Sequence, residues 1–214
     1  MIRLCVICEG HTEAEFVKAC LEPHLRAFNV LAYPSLIKTR PGKQGGGGVT
    51  VERVVQHLRH EYHSSDRITT LLDYYGFGQT NGLTQTQLQD EILKLAAIKI
   101  KKFNPQYVLP YVQMYEFEGL LFSNVDEFQW VLDGWNMEAH QKLTNIRASF
   151  NSPEEINNSY LTAPSKRILQ IFQRGEYSKT EHGPIIANEI GLTRIRSECR
   201  LFNNWMTSLE ALGM

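Results

Sequence analysis

The sequence has no apolar stretch long enough to cross a membrane. Its first apolar run, residues 2–8, stops at the carboxylate of Glu9, whereas the hydrophobic part of a secretory signal peptide is longer and uncharged. Both absences argue against a membrane-spanning protein and a cleaved leader. We therefore expect a cytoplasmic protein without a membrane partner.

The chain also lacks an excess of charge of one sign. Its 22 lysine and arginine residues nearly balance its 23 aspartate and glutamate residues, which leaves a formal net charge of −1. A generally basic, nucleic-acid-binding surface is therefore excluded. Any nucleic acid would have to be bound by local basic clusters or by phosphate contacts through a metal ion.

Cysteine is scarce, with four residues in 214. Cys5 and Cys8 form a CxxC pair, but both lie in a predicted strand, where an odd offset points two side chains to opposite faces. Such a pair cannot share a metal ion. We interpret the cysteines as buried thiols of a cytosolic protein.

Apolar runs and helical patterns alternate in the first half of the chain. We predict strands at residues 2–8, 30–38, 68–73 and 107–114, and helices that begin near residues 12, 50 and 84. This alternation predicts an α/β fold with a parallel, Rossmann-like sheet flanked by helices. Only helical patterns follow residue 124, so we predict an α/β core at 1–123 and a helical C-terminal part at 124–214 packed on it.

The beginning of the first helix is predicted from its capping pattern. Thr12 followed by Glu15 has the spacing of a capping box, in which each side chain bonds the other residue's backbone N–H. Pro23 must kink this helix or begin a second segment, since proline has no N–H to donate.

Acidic residues stand at the ends of three predicted strands. Glu9 follows the first strand, Asp73 ends the third, and the fourth runs into Glu116 and Glu118, while Glu13 lies one turn into the first helix. Ligands of open α/β sheets bind at the carboxyl ends of the strands. One such glutamate alone would most often be a cap or a solvated residue. Several converging carboxylates, however, need a cation such as Mg²⁺ or Mn²⁺ to offset their repulsion.

Two of these segments resemble motifs of the toprim superfamily. Residues 6–13, VICEGHTE, resemble the first motif, a hydrophobic strand that ends in Glu-Gly, and residues 71–76, LLDYYG, resemble the second, which is normally DxD. Toprim domains occur in topoisomerases, bacterial primases, overcoming-lysogenization-defect nucleases and ribosomal-RNA maturases. With further matches at residues 116–122, 164–167 and 177–205, nearly the whole chain resembles small stand-alone toprim-like proteins, the domain of unknown function 4276.

The resemblance implies roles for individual residues. Glu9 matches the toprim glutamate, a general acid or base, and Asp73 matches the first metal-binding aspartate. Tyr75 stands where the second aspartate is expected, which argues against a topoisomerase or primase mechanism. The metal site would then be completed by other acids, as in the lysogenization-defect nucleases; the candidates are Glu13, Glu116 and Glu118.

Basic residues suggest how a substrate could be held. Arg40 and Lys43 flank a glycine-rich loop, which lacks the GxxxxGK[ST] order of a phosphate loop but could touch substrate. Others cluster in the C-terminal part, where they form either a phosphate-binding wall or a solvated surface; they are Lys166, Arg167, Lys179, His182, Arg196 and Arg200. Arg196 and Arg200 share a helical face at i, i+4, and Lys179 could stabilise charge on phosphorus.

Two further groups are given simple structural interpretations. His57, His60 and His63 recur every third residue but do not form HExxH, so we predict a solvated helix face and not a zinc site. Tyr74 and Tyr75 are predicted to pack beside the acidic site and not to form a covalent DNA intermediate.

Our first hypothesis is a nuclease that uses Mg²⁺ or Mn²⁺ and cuts DNA rather than RNA. The resemblance implies a partner ATPase and a role in phage defence or DNA repair. The alternative is a non-catalytic toprim-like subunit that binds nucleic acid or a nucleotide, which the missing second aspartate favours. Nucleotidyl transfer is a third and weaker hypothesis.

Overall fold

The computed structural model describes residues 1–37, 48–78, 80–157 and 159–214. Arg40 and Lys43 lie outside the described residues. The sheet has the order β2-β1-β3-β4, all pairs are parallel, and β5 also pairs with β3. The strands are β1 (Ile2–Cys8), β2 (Val30–Leu36), β3 (Arg67–Asp73), β4 (Val108–Leu109) and β5 (Val112–Gln113). The predicted α/β fold with a parallel sheet is confirmed.

Helices cover both faces of this sheet. They are α1 (His11–Phe16), α2 (Glu22–Arg26), α3 (Val51–Glu61), α4 (Gln85–Lys99), α5 (Met137–Ala148), α6 (Pro164–Ile171), α7 (Lys179–Ile190), α8 (Leu192–Glu198) and α9 (Arg200–Glu210). One apolar core lies under α3 and α4, and the other lies under α1, α2 and the C-terminal helices. No helix in the described ranges is long and apolar enough to cross a membrane.

The central strand β1 contributes to both cores. Leu4, Val6 and Cys8 pack in one core, whereas Cys5 and Ile7 pack in the other. This alternation is the reason that the strand reads as a continuous apolar run. It also confirms that the two thiols of the CxxC face opposite sides of the sheet, where they are buried and free.

The C-terminal helices pack directly on the sheet. The Trp205 side chain of α9 donates its indole N–H to Thr69 Oγ1 of β3 at 2.8 Å, and its ring stacks on Tyr111 with centroids 4.5 Å apart. The second core therefore draws residues from both sides of position 123. The proposed division at that position stays a prediction.

The predicted fourth strand is interrupted at Pro110. Proline cannot donate to a strand ladder, and the strand is split into β4 and β5 on either side of it. The Thr70 hydroxyl bridges the gap, since Oγ1 accepts from the Tyr111 N–H at 2.8 Å and donates to the Tyr111 carbonyl at 2.6 Å. The chain thus stays beside β3 up to the acidic residues that follow.

The predicted capping box of Thr12 and Glu15 is wrong. Gly10 is the N-cap of α1, and its N–H donates to Glu13 Oε2 at 2.9 Å. The exposed Glu15 pairs instead with Lys18, at 2.7 Å. The two patterns overlap in the sequence, and the one that begins at Gly10 turns Glu13 back toward the end of β1. A π-helical turn, Val17–Leu21, follows α1, and Pro23 lies in the first turn of the next segment, α2.

Candidate active site

Five carboxylates are collected at the carboxyl edge of the sheet. Glu9 follows β1, Asp73 is the last residue of β3, and Glu116 and Glu118 lie just after β5. Cys8 is paired with Leu71 in the parallel register, which brings the ends of β1 and β3 side by side. Glu13 reaches the same edge from α1. The structure therefore brings together the acids that the strand ends predicted.

The carboxylates influence one another strongly. Burial raises the pKa of Asp73 well above its usual range, and the charges of Glu13, Glu118, Glu9 and Glu116 raise it further. Burial is also the first cause of the raised pKa of Glu13 and of Glu118. Nearby negative charges disfavour the ionisation of each carboxyl group, and burial weakens the screening of these charges by solvent. The five groups are therefore electrostatically coupled.

Backbone N–H groups hold three of these carboxylates in place. Glu13 is bound by Gly10, as described above. Asp73 Oδ1 accepts from the Phe117 N–H at 2.8 Å, and Glu116 Oε2 accepts from the Ser165 N–H at 2.8 Å, at the beginning of α6. Backbone donors stabilise the ionised form. Each bond fixes one oxygen of a carboxylate and leaves the second oxygen for another ligand.

Among the described residues, Lys179 is a basic residue that contacts the acidic cluster. Its Nζ lies 3.1 Å from Oε1 of Glu118, whose side chain is only 3% exposed. Burial alone would lower the pKa of Lys179, but the charges of Glu118 and Glu116 outweigh it, and the net shift is upward. Lys179 is therefore positively charged at neutral pH, at the first residue of α7.

The Glu9 carboxylate has a buried oxygen, Oε2, that no donor binds in the part of the chain that the structure describes. The carboxylate packs on Gly76, where an added Cβ would lie 1.9 Å from Oε2. Burial, followed by the charge of Glu13, raises the pKa of Glu9 to about 7. A group with this pKa can both accept and release a proton near neutral pH.

The donor set fits a hard divalent cation, although the side chains do not already surround one. Within the described residues, no three His, Cys, Asp or Glu side chains form a ready-made metal cluster. The carboxylate oxygens are nevertheless the ligand type that Mg²⁺ and Mn²⁺ prefer. The unpartnered Glu9 Oε2 and the raised pKa of Asp73 both indicate a deficit of positive charge. A cation would draw the side chains together around it.

Arg196 lies away from this site, and its predicted face with Arg200 is wrong. Cys199 has an extended backbone that ends α8, so the two arginines belong to different helices. The Arg196 guanidinium pairs with Glu210, which also contacts His24 of α2 at 2.6 Å. Since α2 leads into the start of β2, this cluster lies at the opposite edge of the sheet. Arg196 therefore joins helices and does not face the carboxylates.

The other residues predicted to contact substrate differ in their exposure and in their hydrogen bonds. Arg167 donates to the Thr162 carbonyl at 2.7 Å, and His182 Nδ1 accepts from the Ser178 N–H at 2.9 Å. Lys166 and Arg200 are exposed. Lys166 follows Ser165, the residue that binds Glu116, so Lys166 lies at the border of the site. Binding of substrate by these residues stays a prediction.

The interpretation of the histidines as a solvated face is wrong for His57. Its side chain is 13% exposed, and Nε2 lies 2.8 Å from Ser35 Oγ. Ser35 Oγ also donates to Glu61 Oε1 at 2.9 Å. These bonds join α3 to the edge strand β2. The apolar spacing of the helix could not reveal them, because the partner serine lies in another element.

Three residues near the acids were not singled out as site residues by the sequence. Gly76 supplies the space for Glu9, and its only signal was its place in the DYYG motif. Tyr115 has φ of +60°, which no sequence pattern indicated. The Tyr177 hydroxyl is buried without a partner, and burial followed by the charges of Glu118 and Glu116 raises its pKa well above the usual range.

Two solved structures and one family model are similar to this chain over most of its length. The C-terminal region of the Xanthomonas campestris pv. campestris OLD protein, phased with iodine, is similar over 95% of both chains, with 14% identity and a TM-score of 0.45. The same region phased with mercury has 16% identity and a TM-score of 0.41, over 95% of this chain and 96% of that chain. No curated protein matches the sequence. The family described as Domain of unknown function (DUF4276) matches residues 8–210, and the chain therefore belongs to that family.

Proposed function

We propose that this protein is a metal-dependent nuclease that hydrolyses phosphodiesters, in DNA rather than RNA. The observation that carries the proposal is the cluster of five buried or half-buried, mutually repelling carboxylates with Lys179 at the carboxyl edge of a parallel sheet. A purely structural cluster of this kind would destabilise the fold without a benefit. Such clusters of oxygen ligands are suited to divalent cations and phosphate chemistry.

Four carboxylates would hold Mg²⁺ or Mn²⁺, namely those of Asp73, Glu13, Glu116 and Glu118. Backbone N–H groups already orient three of them, so little side-chain freedom would be lost on binding. When bound, the cation would polarise a phosphoryl oxygen and lower the pKa of a water molecule. Lys179 would keep Glu118 oriented and leave one positive charge beside the substrate phosphate.

Glu9 is the residue best suited to move the proton. In hydrolysis, the oxygen of water forms a bond to phosphorus, the ester P–O bond breaks, and the proton of the water needs an acceptor. The pKa of about 7 allows Glu9 to accept it and later to return it to the leaving oxygen. Lys179 would stabilise the negative charge that develops on the phosphoryl oxygens.

The test is incubation of the purified protein with supercoiled plasmid and Mn²⁺. We expect nicked and then linear DNA, and no cleavage when a chelator is added. The Asp73→Asn variant, purified in the same way, controls for a contaminating nuclease. The proposal would be contradicted if plasmid, single-stranded DNA and RNA all remained intact in both Mg²⁺ and Mn²⁺.

A second candidate is a non-catalytic subunit that binds nucleic acid or a nucleotide. It is favoured by Tyr75 at the position of the second toprim aspartate, and by the lack of a ready-made metal cluster among the described residues. This candidate predicts binding without cleavage under all metal conditions. The plasmid experiment, combined with a binding measurement, distinguishes it from the nuclease.

A partner ATPase and a role in phage defence or DNA repair belong to the same proposal. They rest on the resemblance of residues 6–13 and 71–76 to the lysogenization-defect nucleases, and not on a contact in the structure. Co-purification of the tagged chain with an ATPase from its native host would support this part. Its failure would leave the proposed nuclease chemistry untouched.

We predict that the stability of the folded protein depends on pH. Glu9 titrates near pH 4.5 when unfolded and near pH 7 when folded, so the folded state holds more protons between these values. Without metal, stability should therefore fall as pH rises from about 4.5 to 7. Mn²⁺ should raise the melting temperature more at pH 8 than at pH 5.5. The pKa values of Asp73, Glu13 and Glu118 are also raised, so protons compete with the cation for the oxygens of these proposed ligands.

Calorimetry in chelator and in millimolar Mn²⁺ measures this effect. A metal at about 100 times its Kd adds about 2.7 kcal/mol of stability, which is roughly 5–10 °C for a chain of this size. KCl at the same ionic strength is the control for simple screening. An equal melting temperature with and without Mn²⁺ at pH 8 would argue against cation binding by these acids.

A further inference from the structure

Three tyrosines adjoin the acidic site. Tyr74 and Tyr75 follow Asp73 directly, and Tyr115 directly precedes Glu116. The ring centroids of Tyr75 and Tyr115 are 5.4 Å apart, and Tyr74 lies 6.1 Å and 6.3 Å from these two rings. All three side chains are partly exposed. They form an aromatic cluster, here called the tyrosine cluster, whose members lie within two residues of proposed metal ligands.

The polypeptide holds these rings in a fixed arrangement. The Tyr75 N–H donates to the Tyr115 carbonyl at 3.0 Å, which links the turn after β3 to the segment after β5. The Tyr74 hydroxyl donates to the Leu83 carbonyl at 2.7 Å, and the Tyr75 hydroxyl accepts from the Asn157 side-chain amide. The polar ends of Tyr74 and Tyr75 are therefore bound by the protein, and these two rings have little freedom to turn away.

Tyr115 adopts a backbone conformation that a tyrosine rarely takes. Its φ of +60° lies in the left-handed region, which is unfavourable for a residue with a Cβ and favours glycine or asparagine. Strained residues of this kind concentrate at functional sites, where the surrounding structure maintains them. A glycine would fit the turn without strain, so the aromatic ring itself is what this position supplies.

The overall charge of the protein does not attract a nucleic-acid backbone. The net charge is −1, and the site itself is acidic. Among the basic residues, Arg196 is paired with Glu210, and Lys179 is paired with Glu118. Duplex DNA is bound mainly through rows of cations on phosphates, and Lys179 by itself does not form such a row. Stacking of bases on aromatic rings is the other general source of affinity, and it requires unpaired bases.

We propose that the tyrosine cluster stacks an unpaired nucleobase next to the scissile phosphate, so that the substrate is single-stranded DNA or a single-stranded segment of a duplex. This inference rests on the proposed nuclease function and specifies its substrate class. The bases of an intact duplex are stacked on each other and cannot reach rings that lie beside the metal ligands. An unpaired base can leave the strand and stack while its own phosphate enters the acidic site.

The test is binding of a short fluorescein-labelled oligonucleotide, single-stranded or annealed to its complement, measured by anisotropy in Ca²⁺. We expect tighter binding of the single strand. The pair Tyr75→Leu and Tyr115→Leu should weaken single-strand binding by roughly 10–100-fold and leave duplex binding unchanged. The pair Tyr75→Phe and Tyr115→Phe keeps the rings and should bind like the natural protein.

A remote tyrosine gives the matched control. Tyr107 is exposed and packs under Arg67, the first residue of β3, at the opposite edge of the sheet. The Tyr107→Leu variant should bind both DNA forms like the natural protein. An oligonucleotide that contains 2-aminopurine reports stacking directly, because its fluorescence is quenched when the base stacks. We expect quenching with the natural protein and its loss in the leucine pair.

The outcomes separate this inference from the nuclease proposal. Equal affinity for single strand and duplex, or unchanged single-strand affinity in the leucine pair, would overturn the stacking inference even if plasmid is cleaved. A single-strand preference that depends on the rings would support it even if no cleavage is found. Loss of binding to both DNA forms in the leucine pair, with an unchanged melting temperature, would also count against a role specific to unpaired bases.

Discussion

Replacing Glu9 with glutamine should lower the rate of phosphodiester hydrolysis by on the order of 10²–10⁴-fold, the usual effect of losing a positioned general acid or base. Glutamine keeps the shape of the side chain but cannot exchange a proton. The affinity for Mn²⁺ should change little, because Glu9 is proposed to transfer protons and not to bind the cation. Added Mn²⁺ should not restore the rate. Metal titration by calorimetry and cleavage rates on plasmid measure both quantities.

Asp73→Asn gives the contrasting result that separates the two roles. The neutral amide replaces a carboxylate that would bind the cation, so Mn²⁺ affinity should fall, and excess Mn²⁺ should restore part of the rate. Glu15→Gln is the matched control, since Glu15 is exposed on the same helix as Glu13 and pairs only with Lys18. Full activity and equal metal affinity in both site variants would leave the binding subunit as the better hypothesis.

The sheet and its acidic edge could be predicted because their signals are local. A strand buried on both faces must be apolar along its whole length, and residues 2–8 have this property. Parallel strands end at a common edge, so the acids at the ends of β1 and β3 had to meet. Pro110 lies in the middle of the predicted fourth strand. Because proline cannot donate to a strand ladder, its position indicates that this strand is split.

Other features depend on partners distant in sequence and could not be predicted. The pairing of Lys179 with Glu118, and of Arg196 with Glu210, follows from how the C-terminal helices pack. The break at Cys199 contains neither glycine nor proline, so the helical pattern ran through it without interruption. Sequence spacing thus placed Arg196 on a helix face that the packing does not produce.

The capping of α1 shows a third situation, in which two local patterns compete. Thr12 with Glu15 and Gly10 with Glu13 both satisfy the spacing of a helix start. The glycine prevails although it has no side chain to donate or accept, because its N–H and the Glu13 carboxylate complete one strong bond. That choice moves Glu13 from the helix surface to the acidic cluster, and a local detail thereby determines the composition of the site.

Gly76→Ala should abolish most of the activity, because the added methyl group displaces the Glu9 carboxylate. Gly76 belongs to a 3-10 turn, Tyr74–Gly76, in which alanine is conformationally acceptable. The alanine side chain lacks space, because its Cβ would lie 1.9 Å from Glu9 Oε2 and 2.8 Å from the Glu9 carboxylate carbon. The carboxylate must therefore leave its position, and we expect a rate loss on the order of 10²–10⁴-fold, as for Glu9→Gln. The overpacking should cost about 1–3 kcal/mol of stability.

Two comparisons show whether Gly76 acts through Glu9. Gly82→Ala introduces strain at a φ of +77° with no atom within 4 Å of the new Cβ, so it should destabilise the fold modestly and keep full activity. In a Glu9→Ala background the clash is absent, and Gly76→Ala should then cost neither stability nor further rate. Contacting residues are expected to be non-additive in this way. Additive losses in the double variant would mean that Gly76 shapes the site by another route, and full activity of Gly76→Ala would remove Glu9 from the proposed chemistry.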